Sequence, residues 1–181
     1  MNSNDATDEQ LVQQIRDGDV FAFELLIRRH QDRIFRLASV WLYDDQQAAD
    51  VVQEVFLRSH KGLRSFRFRS SVFTWLYRTT RNVCHEHNRK RSVQPLDTEP
   101  VDMSANPAQS AANAETAQKV RKLVAVLPQR QREVVMLRIF EGLSVREAAL
   151  AMGCREGTVK ALLHKASAKL RIDFNEQGLT S

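Results

Sequence analysis

The sequence predicts an all-α protein: two small helical domains joined by a flexible linker, the C-terminal one containing a helix-turn-helix. Strand signals are scarce, with only 6 glycines in 181 residues and no alternating run of β-branched residues set between turn residues. Apolar residues recur instead three and four positions apart, the period of one buried helical face. That periodicity stops between Ser92 and Gln118, where Pro95, Pro100 and Pro107 stand among Ala, Ser, Asn and acids. Such a segment cannot bury enough apolar surface to order itself. The expected division is therefore a first domain over 1–91, an acidic, Pro/Ala/Ser-rich linker over 92–118 and a second domain over 119–181.

Thr7 followed by Gln10 has the form of a capping box and starts a short first helix that runs through about Ile15. Gly18-Asp19 then opens a longer helix in which Phe23, Ile27, Ile34, Ala38 and Trp41 share one buried face. A third helix follows Asp44-Asp45 and turns Ala48, Val51, Val52 and Val55 inward. Its outward face gathers Asp50, Gln53, Glu54, Leu57 and Lys61, and a leucine amid polar residues suggests a docking surface. A solvated face with one stray apolar residue would read the same way. The fourth helix, from about Ser71 to Arg91, turns Val72, Phe73, Leu76, Thr80, Val83 and Cys84 inward and leaves Trp75, Arg78, Asn82, His85 and Arg89 outside. Just before it, Leu63 to Ser71 interleaves Phe66 and Phe68 with Arg64, Arg67 and Arg69. Aromatics and cations together bind single strands by stacking bases and neutralising phosphates, although Phe66, Phe68 and Trp75 are also the kind of residue that fills a core.

Beyond the linker, a helix near Ala112 to Val126 ends before Pro128, which suits the first position of a helix continuing to about Phe140 and closed by Gly142. Ser144 and Glu147 form a second capping box, opening a short helix that carries Val145, Ala148, Ala149 and Met152. The alanines allow a close crossing, Gly153 supplies a tight turn with Cys154 expected as a small buried residue beneath it, and Gly157-Thr158-Val159 leads into a further helix. That last helix places Val159, Leu163, Ala166 and Leu170 on one side and Gly157, Lys160, Ala161, His164 and Ala168 on the other. Small residues mixed with Lys and His allow close approach to a DNA major groove; the bland alternative is a helical hairpin with a solvated face.

Charge supports a polyanion partner. The net charge is +5, but residues 28–91 hold fourteen Lys/Arg against six acids and residues 119–181 hold twelve against six. The segment 92–118 between them has four acids and no Lys or Arg, and residues 1–27 have six acids and one Arg. Two basic blocks around an acidic one are the footprint expected of a phosphate binder, which counterion release drives, although a solvated basic surface would carry the same surplus. Several classes are excluded in turn. No apolar run approaches the length of a membrane span, and the polar start of the chain lacks the features of a secretory signal, so no membrane insertion and a cytoplasmic location are expected. Cys84 and Cys154 are expected to be reduced and largely buried. Cys84-His85-Glu86-His87 invites a metal reading, but neighbouring helical residues point apart and no second ligand pair stands at zinc spacing, so neither metal nor cofactor is expected. No clustered carboxylates or positioned nucleophile suggest an enzyme or a small-molecule substrate.

The chain resembles sigma factors of the extracytoplasmic-function type, the minimal members of the main bacterial sigma superfamily. The resemblance rests on D-G-D-V-F-A-F-E-L-L at 17–26, A-A-D-V-V-Q-E-V-F-L at 48–57, F-T-W-L-Y-R-T-T-R-N at 73–82 and L-P-Q-R-Q-R-E-V-V-M-L-R at 127–138, completed by the helix-turn-helix. It implies a specificity subunit that performs no covalent chemistry. Asp50, Gln53, Glu54, Phe56 and Leu57 would meet the coiled-coil clamp of core RNA polymerase. Phe66, Arg67, Phe68, Arg69, Ser70 and Ser71, with Trp75, Arg78 and Asn82, would melt the −10 element and hold its unstacked bases. Arg155, Glu156, Thr158, Lys160, Ala161, His164 and Lys165 would read the −35 element as duplex. The linker would thread toward the RNA channel, and an anti-sigma factor is the expected regulatory partner. The chain departs from the family in Arg155, where Ser or Pro is frequent, in Ala161 and Leu162, where Ser and Arg are, and in Arg67-Phe68-Arg69, which lacks a common glycine. The remaining alternative is an autonomous helix-turn-helix regulator, acting as a symmetric dimer without polymerase.

Overall fold

A computed structural model describes residues 6–42, 45–93 and 124–176, and every regular element among them is helical. The chain divides into two units, Met1–Asp102 and Met103–Ser181. Most of the expected linker, and most of the helix expected over 112–126, lie outside the described residues.

In the first unit, α1 (Asp8–Arg16) begins at the capping box foreseen from Thr7 and Gln10: Thr7 Oγ1 accepts from the Gln10 N–H at 3.3 Å and Gln10 Oε1 accepts from the Thr7 N–H at 2.8 Å. Leu11, Val12 and Ile15 bury its inner face. Gly18, at φ +94, reverses the chain, and Asp19 Oδ1 accepts from the Phe21 and Ala22 N–H groups to start α2 (Val20–Leu42). α3 (Asp45–Gly62) and α4 (Val72–Val93) pack on α2 and on each other, and α1 packs on α2. α4 thus ends two residues beyond the expected boundary.

The buried stripe of α2 differs from the one expected. Ala22, Leu26, His30, Ile34, Leu37, Ala38 and Trp41 are buried, while Phe23 and Ile27 are only half-buried. The stripe is rotated because His30, a residue that reads as polar, occupies an inner position with 1% exposure. Two further corrections follow the same logic. Val52 is half-buried while Phe56, whose larger ring is covered at the edge of the α3 stripe, is 6% exposed. Tyr77, absent from the expected core, is fully buried, with its ring centroid 5.7 Å from that of Trp41.

Burying His30 requires a partner, and α1 supplies it. His30 Nε2 lies 2.7 Å from Asp8 Oδ2, and Arg29 donates to Asp8 Oδ1 at 2.7 Å. Burial alone would raise the Asp8 pKa, but the hydrogen bonds and charges of His30 and Arg29 outweigh it and hold the carboxyl below the ordinary aspartate value.

In the second unit the Pro128 carbonyl accepts from the Gln131 and Arg132 N–H groups at 2.9 and 3.0 Å. Pro128 is the cap of α5 (Gln129–Val135) rather than its first residue, because its ψ of 146° is still extended. A π-helical turn, Met136–Phe140, continues α5, and Gly142 at φ +66 closes it as expected. Two arginines brace the ends: buried Arg132 donates to the Leu127 carbonyl at 3.1 Å, and Arg138 donates to the Leu143 carbonyl. α6 (Val145–Met152) starts at the predicted Ser144/Glu147 capping box and stops at Gly153, φ +64, where the Cys154 N–H reaches back to the Ala149 carbonyl at 3.0 Å. α7 (Glu156–Glu176) packs on α5 and α6 through buried Val159 and Ala166, with Leu163 and Leu170 half-buried. Cys154, expected to be buried beneath the turn, is half-buried.

Asp8→Asn is expected to cost about 1–3 kcal/mol near neutral pH, because it leaves buried His30 and Arg29 without their anionic partner. A depressed carboxyl pKa stabilises the fold above the unfolded-state value and ceases to do so as pH falls through the folded one. The difference between wild type and Asp8→Asn in urea midpoint should therefore be full at neutral pH and shrink below about pH 4.

Candidate nucleic-acid interface

α3 ends at Gly62, a turn of 3-10 helix (Leu63–Ser65) follows, and the chain crosses to the start of α4, where Ser71 Oγ accepts from the Thr74 N–H at 3.2 Å. Three aromatic rings organise this crossing. Phe66 is 6% exposed, with its ring 5.7 Å from Trp75 and 5.0 Å, edge-on, from Phe68. Trp75 lies half-buried over Gly62, so closely that a Cβ there would come within 2.7 Å of the indole. Two expectations are corrected here: Phe66 is a covered support rather than an open stacking surface, and Trp75 is not free on the outer face of α4. The space over Gly62 takes the Trp75 indole, and Phe66 is covered between Trp75 and Phe68.

Phe68 is the ring left available, 41% exposed between exposed Arg67 and Arg69. Its φ of +52 is the only positive value at a non-glycine among the described residues. That backbone region costs an L-residue roughly 1–2 kcal/mol, so the chain here accepts strain. Arg16 of α1 reaches this segment, placing its guanidinium 5.0 Å from the Phe68 centroid and donating to the carbonyls of Leu63, at 3.3 Å, and Phe66. Ser71, Arg78 and Asn82 are exposed, and Ser70 is half-buried.

On α3, Asp50, Gln53, Leu57 and Lys61 are exposed as expected, Leu57 by 68%, and Glu54 is half-buried. Phe56, grouped with them from the sequence, is 6% exposed and lines an open groove together with Phe23, Ile27, Gln53, Glu54, Leu57, Arg58, His60 and Lys61. Sequence reasoning missed Arg58. It donates through Nε to Glu54 at 2.7 Å and through both terminal nitrogens to Glu86 of α4, at 3.0 and 2.7 Å. Hydrogen bonding to Glu86 and then Glu54 raises the Arg58 pKa, and the same contact with Arg58 lowers that of Glu86. Glu54 is thereby held in one orientation at the groove edge. The i, i+4 spacing of Glu54 and Arg58 was a readable signal for half of this arrangement.

The third site is the outer face of α7. Arg155, Glu156, Thr158, Lys160, Ala161, His164 and Lys165 are all exposed, and open space surrounds Gly157. Among the described residues no group of three or more His, Cys, Asp or Glu side chains converges as a metal site would require, and no helix is long and apolar enough to cross a membrane.

These surfaces fall within two matched families: Sigma-70 region 2 over residues 26–93, and Sigma-70, region 4 over residues 117–170. The chain is 33% identical over 172 residues to RNA polymerase sigma-H factor of Pseudomonas aeruginosa, covering 88% of this chain and 89% of that protein. It is also 33% identical over 167 residues to the ECF RNA polymerase sigma factor SigM of Mycobacterium tuberculosis, covering 92% of this chain and 84% of the relative. The chain is an ECF sigma factor. The same relation extends to the ECF sigma-E factor of Escherichia coli, 32% identical over 177 residues with 91% and 92% covered. Among solved structures, CnrH in complex with the cytosolic domain of CnrY superposes with a TM-score of 0.73 at 25% identity, covering 93% of this chain and 97% of that one. As an ECF sigma factor the protein is a non-enzymatic transcription initiation factor, and α1 lies ahead of the matched region 2.

Gly62→Ala is expected to displace Trp75 and to lower stability by about 1–3 kcal/mol, against the small gain that alanine normally brings to a helix. Emission from Trp75, followed in a Trp41→Phe background, should shift along with the thermal midpoint.

Proposed function

We propose that this sigma factor docks on the clamp coiled coil of core RNA polymerase through the outward face of α3, reads the −35 element as duplex with α7, and holds melted −10 bases on the α3–α4 crossing. The observation that carries the reading is the presence, on one chain, of two unlike DNA-facing surfaces. α7 offers small residues and cations on a straight exposed face, suited to a major groove. The crossing offers an exposed aromatic ring between two arginines, suited to an unpaired base and its phosphates. An autonomous helix-turn-helix regulator needs only the first.

In this reading Asp50, Gln53, Glu54 and Leu57 meet the polymerase, with Phe56 lining the groove beside them. Arg67, Phe68, Arg69, Ser70, Ser71, Arg78 and Asn82 face the single strand, with Phe66 and Trp75 as the packing beneath. Arg155, Glu156, Thr158, Lys160, Ala161, His164 and Lys165 face the −35 duplex. Residues 1–91 and 119–181 act as separate modules tethered by 92–118, and the protein works in the cytoplasm, where polymerase is. An anti-sigma factor would cover these surfaces when transcription is unwanted; the similar structure of CnrH is a complex with a second protein, the cytosolic domain of CnrY, and so supports a protein partner.

The deciding experiment is in vitro transcription from a promoter library with core polymerase. Wild type should generate new start sites, and Asp50→Lys/Glu54→Lys should abolish them while leaving the circular dichroism of the fold intact. Arg155→Ala should relax selection at a −35 position by about 1–3 kcal/mol, whereas Lys160→Ala should weaken all sites alike and flatten the salt dependence if it meets a phosphate. Footprinting of a palindromic site by the protein alone, with no polymerase-dependent products, would instead establish the autonomous regulator.

A further inference from the structure

We infer that Arg16 is a positioning residue for −10 recognition, making α1 part of the DNA-reading apparatus although it lies ahead of the segment that matches region 2. The inference rests on the proposed role of the α3–α4 crossing. Three contacts converge on one guanidinium: Nε donates to the Leu63 carbonyl at 3.3 Å, a terminal nitrogen donates to the Phe66 carbonyl, and the cation stands 5.0 Å from the Phe68 ring centroid. The two carbonyls lie at the first residue of the 3-10 turn and at the residue just past its end, so one rigid, planar donor fork spans the bend that delivers Phe68. Phe68 itself is held at φ +52, a conformation that its own backbone disfavours and that its surroundings must therefore impose. Phe66 closes on the Phe68 edge and Arg16 on its ring, while 41% of the residue stays open to a ligand.

α1 is suited to serve as the anchor. Asp8 ties its first turn to Arg29 and His30 of α2, and Leu11, Val12 and Ile15 are buried. Arg16, in its last turn, is half-buried and so restrained before it reaches the crossing. A lysine cannot replace it: a single ammonium has no planar fork with which to bridge two carbonyls and stack on a ring. Arg16 thus sets the pose of the Phe68 ring without itself needing to touch DNA.

The test uses the full-length protein with core polymerase and a promoter that wild type transcribes, its −10 positions randomised, with product sequences giving the base preference at each position. Phe68→Ala should flatten the preference at the position that the crossing reads. Arg16→Gln should reduce preference at that same position by about fivefold to tenfold and leave −35 preference unchanged. Arg16→Lys should not restore it, and amide hydrogen exchange over residues 66–70 should quicken in both Arg16 variants. Leu37→Ala, which removes buried apolar packing from the C-terminal half of α2 and leaves the α1 anchor intact, should lower the thermal midpoint and keep the preference. If Phe68→Ala flattens the preference but Arg16→Gln does not, or if Arg16→Gln behaves like Leu37→Ala, the positioning role is overturned and the reading of the −10 site stands. Full rescue by Arg16→Lys would also overturn it, in favour of a simple charge. If neither Phe68→Ala nor Arg16→Gln changes any −10 preference, the assignment of the crossing falls and the positioning role falls with it.

Discussion

α1, α3 and α4 all pack against the buried stripe of α2, and that stripe contains a histidine. His30 could not occupy the interior without Asp8, and the pairing fixes where α1 lies along α2. α1 docked in this register brings Arg16 to the end of α3, and the exit from α3 is where the chain must bend to reach α4. One buried polar contact is therefore linked, through a helix of nine residues, to the placement of an exposed aromatic ring at the far end of that helix. Apolar packing supplies most of the cohesion in this unit, but it is non-directional and would tolerate a slide of α1; the hydrogen bonds at its two ends would not.

What could be read from the sequence was local. Both capping boxes are present because a cap needs only residues three apart, and Gly142 and Gly153 adopt the left-handed conformations that their positions beyond apolar runs implied. The outward faces of α3 and α7 were legible for the same reason, a single helical period being enough to separate Asp50 from Val51 or Lys160 from Val159. The aromatic crossing was not. Trp75 is drawn in because Gly62, thirteen residues before it, leaves a space that the indole fills, and which of Phe66 and Phe68 is covered follows from ring contacts that periodicity does not report. Tyr77 and His30 were missed because each carries a polar atom that a pattern of apolar residues counts against burial. Arg16 and Arg58 escaped because Arg16 is tied to the α3–α4 crossing and Arg58 to Glu86 of α4, at separations that periodicity does not address.

The basic surplus divides in a way that composition conceals. Arg16, Arg58, Arg132 and Arg138 direct their donors at carbonyls or carboxylates of the protein itself. These contacts brace the α3–α4 crossing, join α3 to α4, and cap both ends of the helix preceding the helix-turn-helix. Arg67, Arg69, Arg155, Lys160 and Lys165 are exposed around the two proposed reading surfaces. An arginine with a planar fork suits the first task and any cation serves for phosphates, so net charge overstates the part of the surplus that counterion release could recruit to DNA.

Strain at Phe68 fits this division of labour. A glycine would adopt a positive φ without cost but would leave the crossing mobile and without a ring to offer; phenylalanine offers the ring, at the cost of a conformation that must be maintained. Maintenance requires more than the crossing can supply alone, since it is short and unable to build a core of its own. Phe66 within it packs against the Phe68 ring, and Arg16 on a separate helix adds the remaining contact. An unpaired base stacking on a ring already fixed in place loses less ordering entropy than one that must first immobilise a flexible loop. A strained aromatic braced from behind is therefore a better single-strand platform than a relaxed one, and it accounts for an arginine that reaches across from a helix outside the region 2 match.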